Sequence, residues 1–159
     1  MQRLFLTFFY TGLCPKAPGT AGTIAGAVLA FFILKYFPVE TLFLLTVLIS
    51  IVGIGSINKY EETTGIHDHQ QIVIDEVAGV WLAICLSLST GLIQILLCVI
   101  FFRIFDITKP SIIGRIDREA KGGLGVMGDD LVAGVLAGIL SAISWQLLSK
   151  IEIVTRFNI

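Results

Sequence analysis

Two pairs of adjacent carboxylates, Asp75-Glu76 and Asp129-Asp130, each stand at the start of a long apolar run. A carboxylate drawn into the edge of a hydrocarbon layer is costly unless it is paired or bound to a metal. Neighbours on a helix point about 100° apart, so one member of each pair faces the bundle and the other faces the loop above. Carboxylate oxygens are the preferred ligands of Mg²⁺. A shared cation also offsets the repulsion between acids that otherwise resist ionising together. The plainer alternative is that acids in a first turn complement the helix dipole.

Three further groups carry chemistry. Arg103-x-x-Asp106-x-x-Lys109-Pro110 places Arg103 and Asp106 on one helix face. Beside a carboxylate–metal cluster, Arg103 and Lys109 make a phosphate cradle; the alternative is an ion pair and a juxtamembrane lysine. Gly12-x-x-Pro15-Lys16-Ala-Pro18-Gly19-Thr20 is a stiffened turn into an apolar run. Lys16 and the helix start suit an anion, and Thr20 can cap that helix, though the spacing is not that of a Walker loop. His67-Asp68-His69 offers metal ligands, a proton shuttle or simply a polar loop. Gly122-Gly123-Leu-Gly125-Val-Met-Gly128 leads into Asp129 and is predicted to be a mobile loop able to close over a substrate.

The elements that hold these groups are apolar. The 159 residues are 55% hydrophobic and 14% charged, with a mean hydropathy of +0.91. Ten of the twelve acids and eight of the eleven bases fall in residues 1–20, 59–76 and 103–130. Uncharged runs cover Ala17–Leu34, Thr41–Asn58, Val77–Phe102 and Leu131–Ser149. A spanning helix needs about 20 residues, so three of these runs fit one span each. The third contains Ser87-Leu-Ser-Thr-Gly91, which reads as a turn. It is predicted to split into Ile72–Leu88 and Leu92–Thr108. The fold class is therefore all-α: a single domain over 1–159, a polytopic membrane bundle of about five spans with a short N-terminal interfacial helix. Gly22-x-x-x-Gly26 and Gly134-x-x-x-Gly138 predict close helix packing. Basic residues mark the cytoplasmic side, so the polar motifs face the cytoplasm and the C-terminus, with Lys150 and Arg156, lies outside.

Several classes drop out. A net charge of −1 leaves no basic footprint for nucleic acid, and Arg115, Arg118 and Lys121 are interleaved with Asp117 and Glu119. Cys14, Cys85 and Cys98 lack metal or phosphatase spacing. The first nine residues lack a small-residue cleavage site, so a cleaved signal peptide is not expected. Two non-hydrolytic readings stay open. One is a small ion-coupled transporter, although no charge sits mid-span and no inverted repeat is visible. The other is a non-catalytic subunit whose acids bind a partner.

Taken together the motifs resemble the phosphatidylglycerophosphatase A family of bacterial membrane lipid phosphatases. The matching pieces are Gly12-x-x-Pro15-x-x-Pro18-Gly19-Thr20, His67-Asp68-His69 with Ile72-Val-x-Asp75-Glu76-x-x-Gly79, Arg103-x-Phe105-Asp106-x-x-Lys109-Pro110, and Gly123-x-Gly125-x-Met127-x-Asp129-Asp130-x-x-Ala133-Gly134. The chain departs from the family pattern at Ser111-Ile112 and Gly128, positions that carry no ionisable group. The resemblance implies Mg²⁺-dependent hydrolysis of phosphatidylglycerol phosphate to phosphatidylglycerol and phosphate, a step of phospholipid biosynthesis at the bacterial inner membrane. With that chemistry, Asp75, Glu76, Asp129 and Asp130 are the expected metal ligands. Arg103, Lys109, Lys16 and Thr20 hold the phosphate, and Asp75, Asp106 and His69 are the catalytic candidates. The partners are a phospholipid substrate and the bilayer. Another lipid phosphate remains an alternative substrate, and dimerisation is left open.

Overall fold

Helix α4, Ile74–Leu86, stands at the centre of the bundle and buries nine of its thirteen residues, from Ile74 and Asp75 to Ile84. Around it the computed structural model, which describes residues 1–67, 69–110 and 112–150, sets α1 (Gln2–Leu6), α2 (Pro18–Tyr36), α3 (Val39–Thr64), α5 (Leu92–Thr108), α6 (Ile112–Glu119) and α7 (Gly122–Lys150). The described residues are all-helical, with no strand. Helices α2, α3, α5 and α7 all pack on α4.

Glycines set how close these contacts are. A Cβ on Gly134 would run into the carbonyl oxygen of Gly79, and one on Gly138 would stand 2.8 Å from that of Ala83, so α7 lies backbone-close along one side of α4. On the other side, a Cβ on Gly22 would come within 2.6 Å of Val73 Cβ, and one on Gly26 within 3.2 Å of Val77. The Trp81 indole N–H donates to Gly26 O at 2.7 Å and ties α4 to α2. Both small-residue motifs therefore work as close-packing faces, as membrane helices use them in the absence of a hydrophobic drive between spans.

Among the described residues, three helices, α2, α3 and α7, are long and apolar enough to cross a membrane. The expected split of the third uncharged run occurs: α4 ends at Leu86 and α5 begins at Leu92. Ser87 closes α4, its hydroxyl donating to Ile84 O and Ser89 O. However, α4 does not start at Ile72. The Val73 N–H donates to Leu6 O and the Ile72 N–H to His69 O, which commits that stretch to the N-terminal segment and the loop. At thirteen residues, α4 is about 20 Å long, below the roughly 30 Å of a hydrocarbon core.

The glycine-rich stretch 122–128 is not a loop. It forms the first two turns of α7. Asn58 of α3 accepts from the Gly123 N–H at 2.6 Å, and Gly123 abuts the Ile54 backbone, so α3 both caps and seats the start of α7. Gly122 takes φ +68°, a left-handed conformation that glycine adopts without a Cβ penalty. Asp129 and Asp130 consequently sit two turns inside α7 rather than at its first residue. Thr20 does not cap α2 either: Ala17 is the N-cap, Pro18 takes the first helical position, and Thr20 lies in the first turn. At the N-terminus, Phe8, Phe9 and Tyr10 all adopt positive φ, with Phe9 and Tyr10 exposed. Bonds from Phe9 N–H to Leu4 O and from Tyr10 N–H to Thr7 Oγ1 hold that turn.

Gly134→Val tests the packing account. It should lower the Tm of the detergent-solubilised protein by about 5 °C or more, since the added carbons meet backbone that has no room to yield. An unchanged Tm would contradict the close α4–α7 contact.

Candidate functional site

Four helix ends and one loop meet at a cavity of about 490 Å³. The first turn of α2 supplies Gly19 and Thr20, α4 supplies Asp75 and Glu76, and the last turns of α5 supply Arg103 and Asp106, with Lys109 as its C-cap. Helix α7 supplies Asp129 and Asp130, and the loop after α3 supplies His67 and Gln70. Each depends on local chain geometry. Lys109 sits at φ 41°, a left-handed C-cap that a side chain adopts at a cost, and the following Pro110 blocks further helix. That turn folds the lysine back over α7, where its Nζ donates to Asp129 Oδ2 at 2.8 Å.

Asp75, Glu76 and Asp130 each offer a carboxylate oxygen, and the three oxygens lie within 4.8 Å of one another. Asp75 and Asp130 are 7% and 4% exposed. The Glu76 amide donates to Asp75 Oδ1 at 3.1 Å. Glu76 Oε1 lies against Gly19, where any Cβ would displace it, and that same Cβ would be 3.3 Å from Arg103 Nη1. Glu76 Oε2 and Arg103 Nε are buried with no hydrogen-bond partner among the described residues. An unmet buried polar atom costs about 1–3 kcal/mol, more when charged. Three clustered acids, one with a buried unmet oxygen, form an all-oxygen donor set of the kind that holds a hard divalent cation. The residues present fit such an ion.

The sequence-predicted residues divide on this frame. Asp75, Glu76, Asp106, Asp129, Asp130, Arg103, Lys109 and Thr20 all line the cavity. Arg103 Nη1 donates to Asp106 Oδ2, the i,i+3 pair that the spacing predicts. Asp129, beside Asp130 in sequence, is not one of the three clustered acids, and its Oδ2 accepts from Lys109 Nζ at 2.8 Å. Lys16 is exposed and does not line the cavity. His69 belongs to a second cavity of about 450 Å³ under α1. There its ring meets Tyr60 edge-on at 5.8 Å and its Nδ1 accepts from the Gln71 N–H. The histidine bordering the acids is His67. Gly65, at φ +71°, ends α3 and turns the chain so that His67 comes over the site. Asp68 lies outside the described residues, as do Ser111 and Arg156. Cys98 is buried against Ser141 Oγ at 3.3 Å, a packing role away from the acids.

Comparison with known proteins agrees with the motifs. Residues 4–145 match the family model described as Phosphatidylglycerophosphatase A. A phosphatidylglycerophosphatase A of Haemophilus influenzae is 36% identical over 132 residues, 83% of this chain and 81% of the relative. That of Escherichia coli is 35% identical over 133 residues, 83% of this chain and 77% of the relative. A Bacteroides thetaiotaomicron protein, provisionally named a phosphatidylinositol-3-phosphatase, is 35% identical over 144 residues, 87% of this chain and 89% of its own length. No solved structure matches the chain.

The carboxylate triad predicts a specific stability signature. With metal chelated, Asp130→Asn should leave Tm unchanged or higher, because it replaces a buried acid whose charge is unfavourable without a cation. The rise in Tm that millimolar Mg²⁺ gives the unsubstituted protein should shrink or vanish in the variant. A variant that is less stable without metal and still gains from Mg²⁺ would contradict the shared-cation reading.

Proposed function

The chain belongs to the phosphatidylglycerophosphatase A family, and from that membership we propose that it hydrolyses phosphatidylglycerol phosphate to phosphatidylglycerol and inorganic phosphate with the help of Mg²⁺. The observation that carries the reading is the meeting of a buried carboxylate triad with Arg103 and Lys109 in one cavity. Anion-binding and cation-binding groups side by side suit a phosphate monoester and its metal.

Asp75, Glu76 and Asp130 would hold the ion. A bound Mg²⁺ there supplies charge neutralisation and polarises a phosphate oxygen. The chain's own residues do the rest. Arg103 and Lys109 hold the non-bridging phosphate oxygens, and Asp129 keeps Lys109 aimed across the cavity. The first-turn amides of α2 and the Thr20 hydroxyl add donors at a helix N-terminus. Asp106, oriented by Arg103, takes the proton from the attacking water. Lys16, outside the cavity, meets the anionic headgroup layer. Catalysis is then mainly positioning and charge stabilisation, the usual demand of phosphoryl transfer.

The membrane arrangement follows the same logic. Helices α2, α3 and α7 cross the bilayer, while α4, inside the bundle, and α5, with an apolar outer face, form a hairpin that completes five passages. Helix α4 needs no lipid-matching length, because protein encloses it and its backbone bonds are internal. Helix α1 lies at the cytoplasmic interface beside the site. The catalytic face then meets phospholipid headgroups at the inner leaflet of the bacterial cytoplasmic membrane. The clustering of charge at one end of the bundle favours this reading over an ion pathway, which needs groups at mid-depth. The name of the Bacteroides relative favours one second reading, a different lipid phosphate for the same site.

Purified protein in detergent should release phosphate from phosphatidylglycerol phosphate in Mg²⁺ and stop with excess EDTA. Asp75→Asn should lower kcat by about 10²–10³-fold, the usual loss when a fixed charge-stabilising group is removed. Faster release from phosphatidylinositol 3-phosphate would move the assignment to the second substrate. No metal-dependent release from either would sink it. For the passages, in a chain freed of Cys14, cysteines at Glu62 and Lys121 should be labelled from one side of the membrane and one at Thr90 from the other. Labelling of all three from one side would break the five-passage arrangement.

A further inference from the structure

We propose that Glu61 and His67 form an acid–base dyad at the mouth of the cavity, with His67 protonating the departing alcohol oxygen. The inference deepens the phosphatase reading and rests on it. Hydrolysis of an alkyl phosphate expels an alkoxide, which is far too basic to leave without a proton. Asp106, oriented by Arg103, serves the attacking water, which lies across phosphorus from the leaving oxygen, and the triad acids would be committed to the cation. None of these is suited to deliver that proton.

His67 meets the requirement by geometry. It lines the same cavity as Asp75, Arg103 and Lys109. Its Nδ1 is 2.6 Å from Glu61 Oε1. The Glu61 side chain is 17% exposed, against 53% for the His67 ring, so the carboxylate is the fixed partner and the ring lies at the rim, open to solvent. Glu61 is held on the last turn of α3, whose end is set by Gly65 at φ +71°. A carboxylate on Nδ1 fixes the ring's orientation and tautomer, leaving Nε2 as the nitrogen that exchanges protons. Nε2 makes no hydrogen bond to any described residue.

The step balances. Water attacks phosphorus and gives one proton to Asp106. The P–O bond to the glycerol carbon chain breaks, and its electron pair stays on the leaving oxygen, which takes the Nε2 proton to become the alcohol. Asp106 releases its proton to solvent, and His67 regains one from solvent. The products are phosphatidylglycerol and hydrogen phosphate.

The test compares the natural substrate with an analogue whose scissile bridging oxygen is replaced by sulfur, because a thiolate leaves without protonation. His67→Gln should lower kcat on the oxygen substrate by about 10²-fold or more yet stay near the unsubstituted protein on the sulfur analogue. Glu61→Gln, acting through His67, should give a smaller loss with the same substrate dependence. Equal losses on both substrates would overturn the dyad and leave His67 as a binding or structural group. No loss on the oxygen substrate would overturn it as well. Failure of the unsubstituted protein to release phosphate from either would instead overturn the phosphatase reading, and the dyad with it.

Discussion

Three carboxylates held within 4.8 Å of one another in an apolar bundle form the constraint on which the rest of this structure turns. Such a cluster is strongly unfavourable on its own, through burial and through mutual repulsion. It persists because the surrounding helices leave it nowhere to relax. Helix α4 presents Asp75 and Glu76 from its first turn, and α7 presents Asp130 from its third. The backbone contact between Gly134 and Gly79 fixes the spacing of those two helices. Gly19 leaves room for Glu76 Oε1 and Arg103 Nη1 to approach α2. Small residues in this chain therefore do chemical positioning as well as packing.

Two bases line the same cavity as that cluster. Arg103 is held by Asp106, and Lys109 by Asp129. Each cation thus has a carboxylate partner separate from the triad. The second acid of the Asp129-Asp130 pair joins the triad, while the first orients a lysine. The roughly 100° between adjacent helical residues divides this pair between two purposes, whereas Asp75 and Glu76, expected to divide in the same way, both turn into the triad.

Much of this was legible in the sequence for a physical reason: the informative features are local. Uncharged runs report helices, Ser87–Gly91 reports the break between α4 and α5, and the three-residue spacing of Arg103 and Asp106 reports their pairing. What escaped depends on distant partners. The stretch 122–128 reads as a flexible loop because glycines weaken a helix in isolation, yet Asn58, sixty-five residues away, supplies its cap. The early bonds of Ile72 and Val73 to His69 and Leu6 shorten α4, and no periodicity records them. His67 and His69 are equivalent by sequence. Only the fold of the loop shows that His67 borders the acids and His69 turns to Tyr60.

The central claim is that the buried acids form one cation site, and anomalous diffraction from crystals grown with Mn²⁺ in place of Mg²⁺ tests it most directly. The account predicts an anomalous peak within coordination distance of Asp75, Glu76 and Asp130, and its loss in Asp75→Asn crystals. A peak at another position, or clear density for the three acids with no peak between them, would contradict it.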